Sequence, residues 1–407
     1  MEKHHNLSVY ITTKAPIPNG MALTNRIICL AKAIVSVGIP CKIIIFTRTE
    51  IYGKDAKNLI GKGCFEGIEY QYIGKTPLRG SNPFIRTIHD IQDKIHLLLY
   101  LFINLNPNDI VINIAGRDVK FINLLTKLIH YKKAKFVKEL CELPYGTGKE
   151  TLKNINKREY TLKSQFPKCD GIIAISDALL SLSAKYTSPN CQLIKIPILV
   201  DFEKYRLPDC SSEVSIPYIF HSGTLFEQKD GILGVLEAFG KAVNLLDCPI
   251  QFISTGNPQQ SPHRHEINQI IKQYQLQDKV IFKGYLNNEQ LKDYLSKSSL
   301  VIINKYPNQQ NTYCFSTKLG EYLAARKPVI ITNVGEAMNW LKNRESAYII
   351  EPNNTDLLAK AIIDAFQHPE ICKAIGKRGQ EVCAISFNYR RYGVVLKDYF
   401  CRIINNK

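Results

Sequence analysis

Short runs of β-branched and other apolar residues recur along the chain, separated by stretches whose apolar positions follow helical spacing. In the first half such runs at 7–12, 41–46, 109–114, 135–139, 171–175 and 192–196 predict strands, with helical period over 21–37 and 118–131. This alternation is the pattern of a parallel sheet wrapped by helices. Segment 53–81 is rich in Gly and Lys and reads as loops around one more strand at 68–72. The apolar stretch 95–105 is about half of the roughly 20 residues a membrane span needs. His96 and Asn104 interrupt it, so a buried helix is expected.

A linker at 197–217 carries three prolines and the polar cluster 208–212. The alternation then restarts, with strands expected at 218–221, 250–254, 279–282, 300–303, 329–332 and 347–350. Helices are expected at 232–246, 263–274, 288–296, 317–325 and 355–366. The fold class is therefore α/β, with two Rossmann-like doubly wound domains facing a cleft, over 1–200 and 201–385. Residues 386–407 are expected to form a C-terminal helix returning to the first domain. Ligands of such sheets bind outside the carboxyl ends of the strands, so the loops after strands are where chemistry is sought.

Composition narrows the classes. Apolar residues make up 45% and charged residues 22% of 407, enough for two real cores. Lys and Arg number 53 against 36 Asp and Glu, a formal charge of +17. The basic residues are scattered, and no nucleic-acid motif accompanies them. That leaves a solvated surface, an anionic substrate or an anionic membrane face. The 12 cysteines form no C-x-x-C pair and the nine histidines show no ligand spacing, so no metal site is expected. Reduced thiols and an N-terminus without a signal-peptide pattern point to the cytoplasm.

Two segments carry chemistry. His221-Ser222-Gly223-Thr224 ends a strand and leads through Lys229 into a helix. Glycine permits close backbone approach, and the helix start offers N–H groups and a positive dipole end to a phosphate. Lys229 is placed to reach the same anion; the plainer reading is a strand–helix turn with a surface lysine. In Ser316-Thr317-Lys318-Leu319-Gly320-Glu321, Ser316 reads as a helix cap and Thr317 and Lys318 open the helix. Glu321, one turn on, either accepts hydrogen bonds from a ribose diol or pairs with Lys318.

Together G-x-L-x-x-x-K-x-G (223–231) and S-T-K-L-x-E-Y-L-A-x-x-K-P-V-I (316–330) resemble the retaining glycosyltransferases of the GT-B fold, the large family four (glycosyl transferases group 1). The resemblance covers nearly the whole chain. It implies that Gly223, Thr224 and Lys229 form the diphosphate loop and that Lys229 neutralises the leaving group. Ser316, Thr317, Lys318 and Leu319 would open the donor helix, with Glu321 on the ribose. Gly20, in the loop 16–22, would lie near the transferred sugar. Gly256 and Tyr285 stand in loops resembling those that hold the base. Glu142 is the candidate for a sugar or acceptor hydroxyl contact, against the plainer reading of a carboxylate in water. The first domain would be the acceptor side and the second the donor side.

Two positions depart from the family pattern: Thr224 stands where many relatives have arginine, and Tyr313 where a first glutamate would fall, with Asn311 or Tyr313 as substitutes. The implied reaction is metal-independent, retaining transfer from a nucleotide-diphosphate sugar to a glycan or lipid-linked saccharide in surface polysaccharide synthesis. Uridine is the usual base in the family, and no cofactor is implied. Peripheral contact with the inner membrane face fits the charge. The competing readings are a non-catalytic nucleotide-sugar-binding protein, motivated by those two positions, and an epimerase of the same architecture. The latter would need carboxylates and a histidine around the sugar, and His221 lies before the glycine, on the strand.

Overall fold

A computed structural model describes residues 7–406 except 55, 117 and 147–149, and except the side chain of 212. The chain divides into two compact units, Met1–Leu199 with Tyr389–Lys407, and Val200–Asn388.

The first unit runs β1 (Val9–Thr13), α1 (Ala22–Val35), β2 (Cys41–Ile45), β3 (Glu50–Ile51), β4 (Lys62–Phe65), β5 (Ile68–Tyr72) and β6 (Leu78–Arg79). It continues with α2 (Pro83–Asn104), β7 (Ile110–Ile114), α3 (Val119–Tyr131), β8 (Lys135–Leu140), α4 (Leu152–Gln165), β9 (Gly171–Ala174), α5 (Asp177–Ala184) and β10 (Gln192–Lys195). Its eight-stranded sheet has the order β10-β9-β8-β7-β1-β2-β5-β4. Every pairing is parallel except β4 with β5. The whole of β7 is buried, as a strand covered on both faces requires. A buried ion pair pins the layers together. Arg26 on α1, 1% exposed, bonds Glu139 on β8 at 3.1 Å through Nε, and its other nitrogens reach the carbonyls of Pro197 and Ile196.

The second unit runs α6 (Phe202–Tyr205), β11 (Tyr218–His221), α7 (Glu227–Asp230), α8 (Ile232–Val243), β12 (Gln251–Ser254), α9 (Arg264–Gln273), β13 (Val280–Phe282) and α10 (Asn288–Lys297). It continues with β14 (Leu300–Ile303), α11 (Gln309–Tyr313), α12 (Thr317–Ala324), β15 (Val329–Thr332), β16 (Tyr348–Ile350), α13 (Thr355–Gln367) and α14 (Pro369–Ser386). Its six strands are all parallel, in the order β13-β12-β11-β14-β15-β16. This is the doubly wound Rossmann order, whose switch point lies between the first and fourth strands of the unit, β11 and β14. The last helix, α15 (Tyr392–Asn405), belongs to the first unit.

Two expectations need correcting. Segment 53–81 holds more than one strand: β4 extends the large sheet antiparallel to β5, and β6 pairs with β3 in a separate two-stranded sheet. These strands are short, so no apolar run marks them. Residues 95–105 are not a buried helix but the second half of α2, in which only Asp93, Leu97 and Leu101 are buried. Phe84, Ile88, Ile91, Ile95, Leu99 and Phe102 fall on the opposite side at heptad spacing, and each is exposed. An apolar count cannot tell which face packs. No helix among the described residues is long and apolar enough to cross a membrane.

Candidate functional site

At the switch point of the second unit, the loop after β11 and the first turn of α12 converge on one carboxylate. Asp230, at the end of α7, is buried. It accepts the N–H and hydroxyl of Thr224 at 2.8 and 2.9 Å and the Lys318 ammonium at 3.1 Å. Burial would raise its carboxyl, but Lys318, His221 and the Thr224 N–H together hold it far below the usual range. Thr224 therefore serves as the anchor of Asp230 rather than as a ligand group in place of arginine. Lys318 turns to Asp230 and not to Glu321.

Around this pair stand two further ammonium groups. Lys229, on α7, is exposed, and its side chain has no partner among the described residues. Lys305, after β14, donates to Asn311 Oδ1 at 3.2 Å and approaches the Lys229 carbonyl at 3.5 Å. Burial pushes its ammonium down to about 8, with Lys318 and Lys229 pressing the same way against Cys314 and Asp230. Asn311 is itself buried and ties α7 down through the Gln228 carbonyl at 3.2 Å. Sequence reasoning missed Lys305 and Asp230. Lys305 had a usable signal, being the second residue after the 300–303 strand, at the carboxyl end where ligands bind.

Of the two helix starts expected to hold phosphate, one is occupied. The start of α8 is held by Glu227, whose carboxylate accepts the Leu233 N–H at 2.7 Å. The start of α12 is open. Ser316 occupies the N-cap position, but its hydroxyl makes no capping bond, contrary to expectation. The N–H groups of Thr317 and Lys318 have no partner among the described residues. An uncapped helix start beside three lysines has the N–H groups and the charge that suit an anion. Leu319 contributes no surface, for its side chain is fully buried and its N–H bonds the Ser316 carbonyl. Glu321 lies one turn on and is partly exposed.

The glycines act differently from what the sequence implies. At Gly223 an added Cβ would sit 2.2 Å from His221 Cε1, and the Gly223 N–H already bonds Thr255 at 3.0 Å. At Gly256 a Cβ would meet Leu225 at 2.1 Å, so packing inside the unit itself requires a glycine here. His221 is buried, hydrogen-bonds Ser254 at 3.1 Å, and is pushed down to about 4 by burial, so it is neutral near pH 7. Tyr322 locks α12 to the loop by accepting the Ser222 N–H at 2.9 Å. Tyr285 is 69% exposed after β13.

Gly20 and Glu142 belong to the first unit. Gly20 gives room for Thr24, whose hydroxyl bonds the Pro16 carbonyl at 2.7 Å and fixes the loop after β1. Glu142 is exposed in the loop after β8. Among the described residues no group of His, Cys, Asp and Glu has the arrangement of a metal site.

Comparison with known proteins adds the following. The sequence model of the family described as Glycosyl transferases group 1 matches residues 213–382. N-acetyl-alpha-D-glucosaminyl L-malate synthase of Bacillus anthracis is 22% identical over 219 residues, which cover 52% of this chain and 54% of that protein. The chain thus matches about half the length of this relative. Among solved structures, sucrose-phosphate synthase of Thermosynechococcus elongatus superposes with a TM-score of 0.75 at 16% identity, covering 98% of this chain and 100% of that one. A glycosyltransferase of Rickettsia africae gives 0.70 at 18%, covering 99% and 100%. Anabaena HepE, solved with UDP, gives 0.67 at 14%, covering 97% and 100%. At these identities the structural likeness speaks to fold. Residues 213–382 match the model of the glycosyl transferases group 1 family, and the chain carries the GT-B fold of two Rossmann-like domains.

Proposed function

We propose that the protein is a glycosyltransferase that moves a sugar from a nucleotide diphosphate, most simply UDP, to a glycan or lipid-linked acceptor. One observation carries this reading: beside the sheet's switch point, Lys305 Nζ lies 3.5 Å from the Lys229 carbonyl, and α12, whose Lys318 bonds Asp230 at the end of α7, starts without a side-chain cap. A diphosphate leaving group gains negative charge as the anomeric C–O bond breaks, and fixed ammonium and N–H groups stabilise it without reorganising. These groups supply the charge a divalent ion would bring, so transfer is read as metal-independent. Retention of configuration accords with the family pattern in 223–231 and 316–330. Glu321 is the ribose ligand in this reading. The UDP bound to HepE, which shares this fold, supports the choice of base.

The exposed stripe of α2 supports attachment to an anionic membrane face and, with it, a lipid-linked acceptor of surface polysaccharide synthesis. Lys120, Lys127 and Lys133 are exposed on and beyond the neighbouring α3, and Asp118 and Asp90 are already bonded to Lys94 and Lys14. Apolar side chains flanked by unneutralised lysines suit acidic headgroups.

The test is sugar release from a panel of nucleotide sugars. Slow hydrolysis of one donor by the wild type, abolished in Lys229→Ala, is expected. A folded protein that binds a nucleotide sugar yet releases no sugar with any acceptor would instead favour the non-catalytic reading.

A further inference from the structure

The first unit contains a cavity of roughly 430 Å³ beside the loop after β1, bordered by Gly20 and Met21. Five of its lining residues are lysine or arginine and three are acidic. Each acid has a cationic or hydrogen-bonding neighbour in or beside the wall, although Asp93 Oδ1 makes no hydrogen bond among the described residues. Asp90 is bonded by Lys14 at 3.5 Å and Thr47 at 3.3 Å. Asp93 faces Arg48 at 3.5 Å, and burial pushes its carboxyl up. Glu50 accepts the Asn58 amide at 2.6 Å and the Lys57 N–H at 3.1 Å. What remains is positive. The guanidinium groups of Arg79, on β6, and Arg86, on α2, have no partner among the described residues. His89, one turn beyond Arg86, buries an Nδ1 that has no hydrogen-bond partner there.

Two unpaired guanidinium groups lining one cavity gain nothing from each other, since like charges in a partly desolvated space repel. They match the planar, bidentate geometry that oxyanions offer. The strand pair β3 with β6 lies outside the large sheet, and Arg79 at the end of β6 lines the cavity.

We propose that this cavity binds a doubly charged oxyanion group of the acceptor, a phosphate monoester or a dicarboxylate, between Arg79 and Arg86. The assignment rests on the glycosyltransferase reading for the word acceptor, but the anion site itself does not. A phosphate carries close to two charges near neutral pH, which the surplus in the wall balances. Inorganic phosphate is the probe, titrated by calorimetry into wild type, Arg79→Gln/Arg86→Gln and the rescue variant Arg79→Lys/Arg86→Lys. Phosphate bound elsewhere cancels in the comparison. Both arginines reach solvent, so the variants keep the fold, checked by an unchanged melting temperature. The double Gln variant is expected to bind phosphate at least roughly tenfold more weakly, with the Lys variant recovering part of the loss. Equal binding by wild type and the Gln variant, or none by the wild type, overturns the proposal. Displacement of phosphate by soluble glycerol 1-phosphate assigns a free acceptor, and displacement only by phosphatidic acid vesicles, whose headgroup is itself a phosphate monoester, assigns a lipid headgroup. UDP titrated into the same samples tests the donor reading separately: loss of UDP binding with phosphate binding intact sinks that reading and leaves the cavity standing.

Discussion

Two residues show how burial turns ordinary side chains into determinants. Lys305 is pushed down to about 8, so it loses its charge well before an ordinary lysine. Because the folded value is depressed, its buried ammonium costs stability at neutral pH, and that cost fades as pH rises from about 8 towards the unfolded value. For ligand binding the sign is opposite: a diphosphate prefers the protonated form. UDP affinity is expected to fall between about pH 7 and about pH 9, and Lys305→Met should flatten that profile while weakening binding near pH 7. A Lys305→Met profile as steep as wild type, by calorimetry at several pH values, would remove Lys305 from the site. Glu139 holds the other kind of pairing. Glu139→Leu leaves the buried Arg26 without its carboxylate, and chemical denaturation should show a loss of about 3 kcal/mol. Neither role was visible in the sequence, because neighbours in space set both.

At the scale of elements, legibility followed burial. Strands such as β7 and β14, buried at every position, stand out as apolar runs, broken in β7 only by the buried Asn113. The four-residue α7, which carries Lys229 and Asp230, is too short for any helical period to show in the sequence. In α2 the period was present but the direction was not, since the packed face is marked by Asp93 as well as Leu97 and Leu101. The exposed stripe gives a sharp expectation. Ile88→Asp with Ile95→Asp, at positions 41% and 51% exposed, should leave the melting temperature unchanged and abolish flotation with phosphatidylglycerol vesicles. Flotation undiminished, or a concentration-dependent dimer that the substitutions dissolve without any lipid binding by wild type, would assign the stripe to something other than a membrane.

For the whole molecule, strand order decides where chemistry can occur. The second unit places β11 next to β14, and the segments leaving these two strands bring Lys305 Nζ to 3.5 Å from the Lys229 carbonyl. The sequence supplied the alternation of elements and the Lys229 and Glu321 segments. It could not supply the order of the strands, so the helix start of α8 looked as available as that of α12 until Glu227 was seen to occupy it. The measurement that tests the account most directly is calorimetric titration of UDP into wild type, Lys229→Ala and a Thr317→Pro variant, which removes one open N–H at the first helical position, where proline is tolerated. The account predicts UDP binding by wild type and at least roughly tenfold weaker binding by Lys229→Ala, with a smaller loss in Thr317→Pro. UDP binding of equal strength in all three folded proteins would contradict it.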